Sequence, residues 1–288
     1  MRGRLYLPTT SERPPPVVVM AHGTSGTVPM VLDRYAEVFQ AAGLAALAYD
    51  HRNFGGSDGE PRHEINPWVQ TRGMRDAVTF AQQLKDVDPD RVGLWGDSGA
   101  GGEAIVATAF DDRVRVLVVQ CPVCGSRPPA PDPDGERARR IGETLRRGDV
   151  TGTPEATIGP MPVVSSDQVR HPSLLKPISA FRWFIEFGGR HGSGWANDVT
   201  RVLPPTPGPF DPVTCAPLVR VPTLMMVAPE DEMVHANPDV ARAAFERLAG
   251  PKQWHDIAGG HFGLLWHPSG LFDQASRVQA EFFANHLR

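Results

Sequence analysis

The sequence predicts an α/β chain, with a mostly parallel central sheet flanked by helices and a helical insertion between two parts of the sheet. Three observations carry this. Short apolar runs bounded by Pro, Gly or Asp recur at 17–21, 44–49, 91–95, 114–119, 222–228 and 253–257, as strands buried on both faces do. Stretches of helical character separate them, and alternating strands and helices build parallel sheets. Between 122 and about 215 the alternation stops, and Pro, Gly and Arg become frequent.

The first strong strand is Val17-Val18-Val19-Met20-Ala21, with Pro14-Pro15-Pro16 before it and His22-Gly23 after it. A helix follows over about 30–42, closed by Gly43, and then a strand from Leu44 to Tyr49 that ends in Asp50. A turn-rich loop over Asn53 to Gly59 leads to a helix at about 68–84. Asp88-Pro89-Asp90 breaks the chain before the strand Arg91 to Trp95, and a glycine-rich turn at Gly96 to Gly102 opens the next helix, which runs to about Phe110. Val114 to Val119 is a strand. Periodicity resumes with a strand at Pro222 to Ala228, a helix at about 240–248, a strand around Gln253 to Ile257 and a last helix over about 271–286.

The chain therefore divides into a core of 1–121 and 216–288 and a cap or lid insertion of 122–215. No clean strand is expected in the insertion. Leu174, Leu175, Ile178, Phe181, Phe184, Ile185 and Phe187 give it one apolar, aromatic helical pattern, suited to core packing or to lining an apolar acyl pocket. The run Arg137 to Arg147 reads as a solvated helix face.

With 288 residues and 41% hydrophobic content the chain can bury a sizeable core. A net charge of −4 carries no basic footprint, so nucleic acid is not an expected partner. Three cysteines do not make a disulfide framework. The first residues, Met1 to Pro8, carry charge and no apolar stretch, and no run approaches the roughly 20 apolar residues of a membrane span. A cytoplasmic location is expected. A homo-oligomer stays open.

Gly96-Asp97-Ser98-Gly99-Ala100-Gly101-Gly102 lies between a predicted strand and a predicted helix. A serine at the apex of such a turn is held with its hydroxyl exposed, and the following N–H, of Gly99, points into the same space. The helix N-terminus adds positive potential there. Ser98 is thus a candidate nucleophile. The pattern is G-x-S-x-G except that Ala100 occupies its last position. A phosphate-binding turn is disfavoured, because the Gly-Lys-Ser/Thr ending is missing.

A serine hydroxyl needs a base. His261 stands in Gly259-Gly260-His261-Phe262-Gly263, between the last strand and the last helix. His255 lies inside a predicted strand, His22 precedes the nucleophile, and His235 fits better as a substrate or cap contact. The acid follows the strand at 222–228, in Ala228-Pro229-Glu230-Asp231-Glu232. Asp231 is preferred, with Glu230 and Glu232 as alternatives, and Asp97 is a poor candidate because it shares the tight turn with Ser98. The order Ser98, Asp231, His261 matches serine, acid, histidine on a doubly wound sheet. Backbone N–H groups of Gly99 and Thr24, with Ser25 as the neighbour to watch, would hold a developing oxyanion.

These residues resemble the α/β-hydrolase superfamily, especially bacterial dienelactone-hydrolase-like and X-Pro-peptidase-like serine hydrolases. The matching pieces are His22-Gly23, the run Asp50 to Gly59, the Gly-Asp-Ser-Gly turn, Pro229-Glu230-Asp231-Glu232 and Gly259-Gly260-His261-Phe262-Gly263. The resemblance implies an α/β-hydrolase fold with an eight-stranded sheet, short of its first strand here, and a cap from the insertion. It also implies a two-step acyl-enzyme reaction with no metal or organic cofactor. Dienelactone hydrolases use cysteine where Ser98 stands, so that activity is not implied.

The expected chemistry is cleavage of a carboxylic ester, thioester or lactone of a small-molecule acyl substrate. Chain release or cyclisation in polyketide or peptide biosynthesis would use the same groups, and a binding protein on this scaffold would lack them. Haloalkane dehalogenase and epoxide hydrolase chemistry would need aspartate at position 98. Cys121-Pro122-Val123-Cys124 has thioredoxin-like spacing but follows a mid-sheet strand, so neither redox nor zinc chemistry is expected from it.

Overall fold

Val17, Val19 and Ala21 pack into one apolar cluster, while the alternate residues Val18 and Met20 pack into another. Successive side chains of a strand point to opposite faces, so both faces of this strand are covered. The computed structural model describes residues 1–9, 13–148, 150 and 156–288. Residues 149 and 151–155 of the expected insertion, and 10–12, lie outside the described residues.

The strands and helices run β1 (Arg2–Tyr6), β2 (Pro16–Ala21), α1 (Asp33–Ala41), β3 (Ala45–Asp50), β4 (Glu64–Ile65), α2 (Pro67–Gln82), β5 (Asp88–Asp97), α3 (Ser98–Ala109) and β6 (Val114–Gln120). There follow α4 (Glu136–Arg147), β7 (Thr157–Met161), α5 (Ile178–Trp183), β8 (Val199–Val202) and α6 (Pro212–Cys215). The chain ends with β9 (Thr223–Val227), α7 (Pro238–Arg247), β10 (Lys252–Asp256), α8 (Gly260–Gly263) and α9 (Gly270–His286). Asn66, Asn237 and Ser269 each accept backbone N–H groups at the start of α2, α7 and α9, satisfying donors that a helix's first turn leaves free.

Among the described residues the main sheet has seven strands in the order β1-β3-β2-β5-β6-β9-β10. Only the β1–β3 pair is antiparallel. Because β2, β5, β6, β9 and β10 run the same way, their carboxyl ends share one rim, where ligands bind in sheets of this kind. The loops after β2, β5, β9 and β10 thereby converge, although they are far apart along the chain.

The insertion differs from expectation. It holds two strands, β7 and β8, which join β4 in a separate three-stranded sheet. β7 reads Thr-Ile-Gly-Pro-Met, and glycine and proline mask a strand whose partner lies far along the chain. The expected aromatic helix is α5, continued by a π-helical turn at Phe184–Gly188. Its inner stripe is Ala180, Trp183, Phe184 and Phe187, whereas Ile178 and Ile185 are exposed. Among the described residues no helix is long and apolar enough to cross a membrane.

Candidate active site

Ser98 ends the sharp turn from β5 into α3 with φ of 53°, a left-handed conformation that costs a non-glycine residue about 1–3 kcal/mol. The turn closes because Gly96 has no side chain: a Cβ there would lie 2.3 Å from the Ala100 carbonyl oxygen. Ala100 itself is buried and fits, so alanine at the last position of the motif leaves the turn intact. The Ser98 carbonyl accepts the Val123 N–H at 2.8 Å, which ties the turn to the segment after β6.

His261 is in α8, entered through Gly259 and Gly260, both with positive φ. At Gly260 a Cβ would lie 2.6 Å from Glu232 Oε2, so a side chain there would have to displace that carboxylate. The loop brings His261 Nε2 to 2.9 Å from Ser98 Oγ across 163 positions of sequence. On the other side of the ring, Nδ1 lies 2.7 Å from Asp231 Oδ2. A carboxylate there accepts the Nδ1 proton and leaves Nε2 free to face the hydroxyl. Asp231 Oδ1 accepts the Met233 N–H at 2.8 Å, so both oxygens of the acid are held. The His261 and Asp231 side chains are 2% and 0% exposed, which removes water that would compete for these bonds. Burial alone would lower the imidazole pKa, but the Asp231 hydrogen bond and charge, joined by the charges of Asp97 and Glu232, together hold His261 above its ordinary value.

The neighbouring carboxylates separate by role. Glu230 is exposed. Glu232 accepts the His261 backbone N–H through Oε2 at 2.8 Å and the Ser179 hydroxyl through Oε1. Burial pushes its carboxyl up, yet these hydrogen bonds hold it below the ordinary carboxylate range. Asp97 is buried and accepts Gln120 Nε2 at 3.0 Å instead of facing the imidazole. Burial pushes the Asp97 carboxyl up.

The register Asp97↔Gln120 explains that contact. Gln120 Oε1 in turn accepts from Gln279 Nε2 at 2.8 Å, and the single Tyr35 hydroxyl proton lies between Gln120 Oε1 at 2.9 Å and the Leu264 carbonyl at 2.8 Å. A buried polar network thus joins the residue beside Ser98 to the loop that carries His261. No single sequence motif carries this network.

Thr24 lies against Gly99: its nitrogen is 3.5 Å from where a Gly99 Cβ would stand. The two expected backbone donors are therefore adjacent, at the mouth of the α3 helix dipole. Ser25 turns away, with φ of 56° and its Oγ accepting Trp195 Nε1 at 3.3 Å. His22 is buried with Nε2 2.9 Å from the Met30 carbonyl oxygen. His255 sits in β10, and His235 is exposed; neither lines the cavity beside Ser98.

That cavity is narrow, and Leu175, Trp183, Phe184, Met233, Phe262 and Leu265 make its apolar walls. Trp183 is the residue that the sequence reading missed. The spacing 180, 183, 184, 187 is an i, i+3, i+4, i+7 stripe and carried the signal. Trp183 Nε1 donates to the Leu265 carbonyl at 2.9 Å.

Cys121, Asp231 and His261 offer donor atoms within 4.8 Å of one another. The carboxylate and imidazole already hold each other, and burial raises the Cys121 thiol well above its ordinary value, so this set suits a histidine–carboxylate pair better than a metal. Burial pushes Cys124 up to about 12, which disfavours the thiolate that redox chemistry needs.

Residues 12–176 match the family model described as serine aminopeptidase, S33. The thiohydrolase apmlB of Arthrinium phaeospermum is 30% identical over 316 residues, covering 100% of this chain and 95% of that protein. The thiohydrolase aneE of Aspergillus aculeatus is 46% identical over 123 residues, a match that spans 43% of this chain and only 38% of that protein. Among solved structures, DcsB in complex with its substrate analogue superposes with a TM-score of 0.71 at 25% identity, covering 99% of this chain and 94% of that one.

Proposed function

The chain belongs to the serine aminopeptidase S33 family of α/β hydrolases and is a hydrolase enzyme, and from that premise we propose that it cleaves acyl thioesters through an acyl-enzyme formed on Ser98. The observation that carries this reading is the unbroken line from Asp231 Oδ2 through the imidazole to Ser98 Oγ, with contacts of 2.7 and 2.9 Å. The thiohydrolase similarity over the full chain favours a thioester over an oxygen ester.

In the first step Ser98 Oγ forms a bond to the acyl carbon as its proton passes to His261 Nε2. The carbonyl oxygen takes the negative charge and is met by the N–H groups of Gly99 and Thr24. Loss of one such donor costs about 10²–10³ in rate in enzymes of known mechanism. Collapse of this intermediate breaks the C–S bond, and the thiol leaves with the proton held on Nε2. Water then gives a proton to the same nitrogen and attacks the acyl-enzyme, releasing the acid and restoring the serine. Asp231 keeps the ring in one tautomer and balances the imidazolium at each stage.

The segment 122–215 serves as a cap. It supplies Leu175, Trp183 and Phe184 to the cavity, and these apolar walls fit a hydrophobic acyl group rather than a charged one.

The test is labelling with a fluorophosphonate, with the adduct located by mass spectrometry, followed by a panel of short and long acyl thioesters and their oxygen-ester counterparts. An adduct on Ser98 that is lost in His261→Ala, with thioesters turned over faster than matched esters, is the expected result. A folded protein that takes no label would exclude the acyl-enzyme. Labelling with oxygen esters preferred would keep Ser98 and reject the thioester.

A further inference from the structure

Glu232 touches the site without touching the reacting atoms. It bridges two parts of the chain: the backbone N–H of His261 on one oxygen and the hydroxyl of Ser179, in α5, on the other. The N–H of His261 belongs to the first turn of a four-residue helix, where donors have no partner within the helix. Gly259 and Gly260 precede it with φ of 105° and 66°, so the local backbone has little stiffness of its own. The Glu232 carboxylate is the group that fixes it.

α5 also reaches the far end of the same loop, where Trp183 Nε1 meets the Leu265 carbonyl. Across the cavity, the chain beyond α5 holds the loop after β2: Trp195 Nε1 donates to Ser25 Oγ and Thr27 Oγ1 donates to the Ser193 carbonyl at 2.6 Å. The segment 178–195 therefore spans the cavity with polar contacts on both sides.

We propose that Glu232 is a positioning residue that passes the seating of α5 to the backbone of His261 and so sets the reach of the imidazole to Ser98. The inference rests on the acyl-enzyme reading for its consequence in rate, but not for its geometry. Asp231 and Glu232, adjacent in sequence, then act on one histidine through different atoms, the first on the ring and the second on the main chain. A misplacement of about 1 Å at a reacting group can cost about 10²-fold in rate, so a main-chain strut is enough to matter.

The experiment is a double-mutant cycle of Glu232→Ala and Ser179→Ala, with Glu232→Gln as the conservative variant. Glutamine keeps one oxygen for the His261 N–H and can donate its amide to Ser179. Two quantities are read at constant pH: the rate of Ser98 labelling by fluorophosphonate, and the nuclear magnetic resonance signal of the His261 Nδ1 proton with its rate of exchange against solvent. Glu232→Ala is expected to slow labelling about 10- to 100-fold and speed exchange of that proton. Ser179→Ala should give a smaller loss, the double variant should match Glu232→Ala, and Glu232→Gln should recover most of the rate. Additive losses from Glu232→Ala and Ser179→Ala, or an Nδ1 proton in Glu232→Ala that behaves as in the parent, would overturn the proposal. Should the parent take no label at Ser98, the acyl-enzyme reading fails by itself, and the exchange of the Nδ1 proton still decides the role of Glu232.

Discussion

His261 and Asp231 meet at 2.7 Å with both side chains withdrawn from solvent. Burial by itself would make the imidazole a weaker base. Asp231, with smaller help from the charges of Asp97 and Glu232, reverses this and leaves the ring more basic than an ordinary histidine. The geometry therefore couples two quantities that can be measured separately, the tautomer of the ring and the pH at which it becomes available.

A histidine base works in its neutral form, so if His261 is that base, turnover should fall as pH drops through its folded-state pKa, with the midpoint above 6.5. In Asp231→Asn the largest raising interactions, the Asp231 hydrogen bond and charge, are lost, while burial and the smaller pull of the Asp97 and Glu232 charges remain, so the midpoint should move to lower pH. The maximal rate should also fall by about 10⁴, because the wrong nitrogen then carries the proton. Stability carries the matching sign. A histidine whose folded pKa is raised adds stability that is fully present below its unfolded value and is lost as pH rises through the folded one. Thermal unfolding of the parent and of His261→Gln, compared across this window, checks it. A rate profile whose acid limb lies below 6.5 would contradict the assignment.

Ser98 gives a prediction in which activity and stability part. Ser98→Ala should lower turnover by at least about 10³-fold and leave the fold intact, since among the described residues the hydroxyl's hydrogen-bond partner is the imidazole. Ser98→Gly should be just as inactive but unfold at a higher temperature than Ser98→Ala. Glycine accepts φ of 53° without the steric cost that alanine meets. Equal melting temperatures for the two variants would show that the turn stores no strain.

Trp183, in α5, forms one wall of the cavity beside Ser98. Its ring packs on His22, Phe184 and Phe262 at centroid distances of 5.4, 4.9 and 5.5 Å. Trp183→Ala should cost about 3–5 kcal/mol in chemical denaturation, and should shift preference toward bulkier acyl groups by opening one wall. Trp183→Phe should keep the wall and lose only the bond to Leu265, about 1 kcal/mol. A Trp183→Ala variant with an unchanged acyl-length profile would place the acyl group elsewhere.

The parts of this architecture that were legible in the sequence are those fixed by local rules. A strand buried on both faces must be continuously apolar, so β2, β3, β6 and β9 stood out at once. Serine at a strand-to-helix turn and histidine between glycines were likewise visible, because each demands particular backbone freedom next to it. β1 was hidden, since Arg2, Gly3 and Arg4 are exposed on an edge strand that shows no buried face. β7 was hidden by its own Gly159 and Pro160. The choice among Glu230, Asp231 and Glu232 depends on which oxygen a distant loop meets, a tertiary relation that three adjacent acidic letters cannot encode.

Gly260 offers a test of that tertiary relation from the opposite side. Its φ is 66°, and its would-be Cβ would lie 2.6 Å from Glu232 Oε2, so a methyl group there strains the backbone and must push the carboxylate aside. In Gly260→Ala the strained backbone should cost about 1–2 kcal/mol, and the carboxylate should be driven off the His261 N–H. If that contact sets the imidazole, labelling of Ser98 should slow about as much as in Glu232→Ala. Combining the two substitutions should add little in rate while still lowering the melting temperature, because alanine keeps its unfavourable φ whether or not the carboxylate is present. Gly259→Ala is the control. Its Cβ would meet Leu271 Cδ1 at 2.5 Å rather than Glu232, so its effect on rate should add to that of Glu232→Ala. Equal non-additivity at both glycines would mean that the loop responds to any disturbance and that Glu232 has no special hold on it.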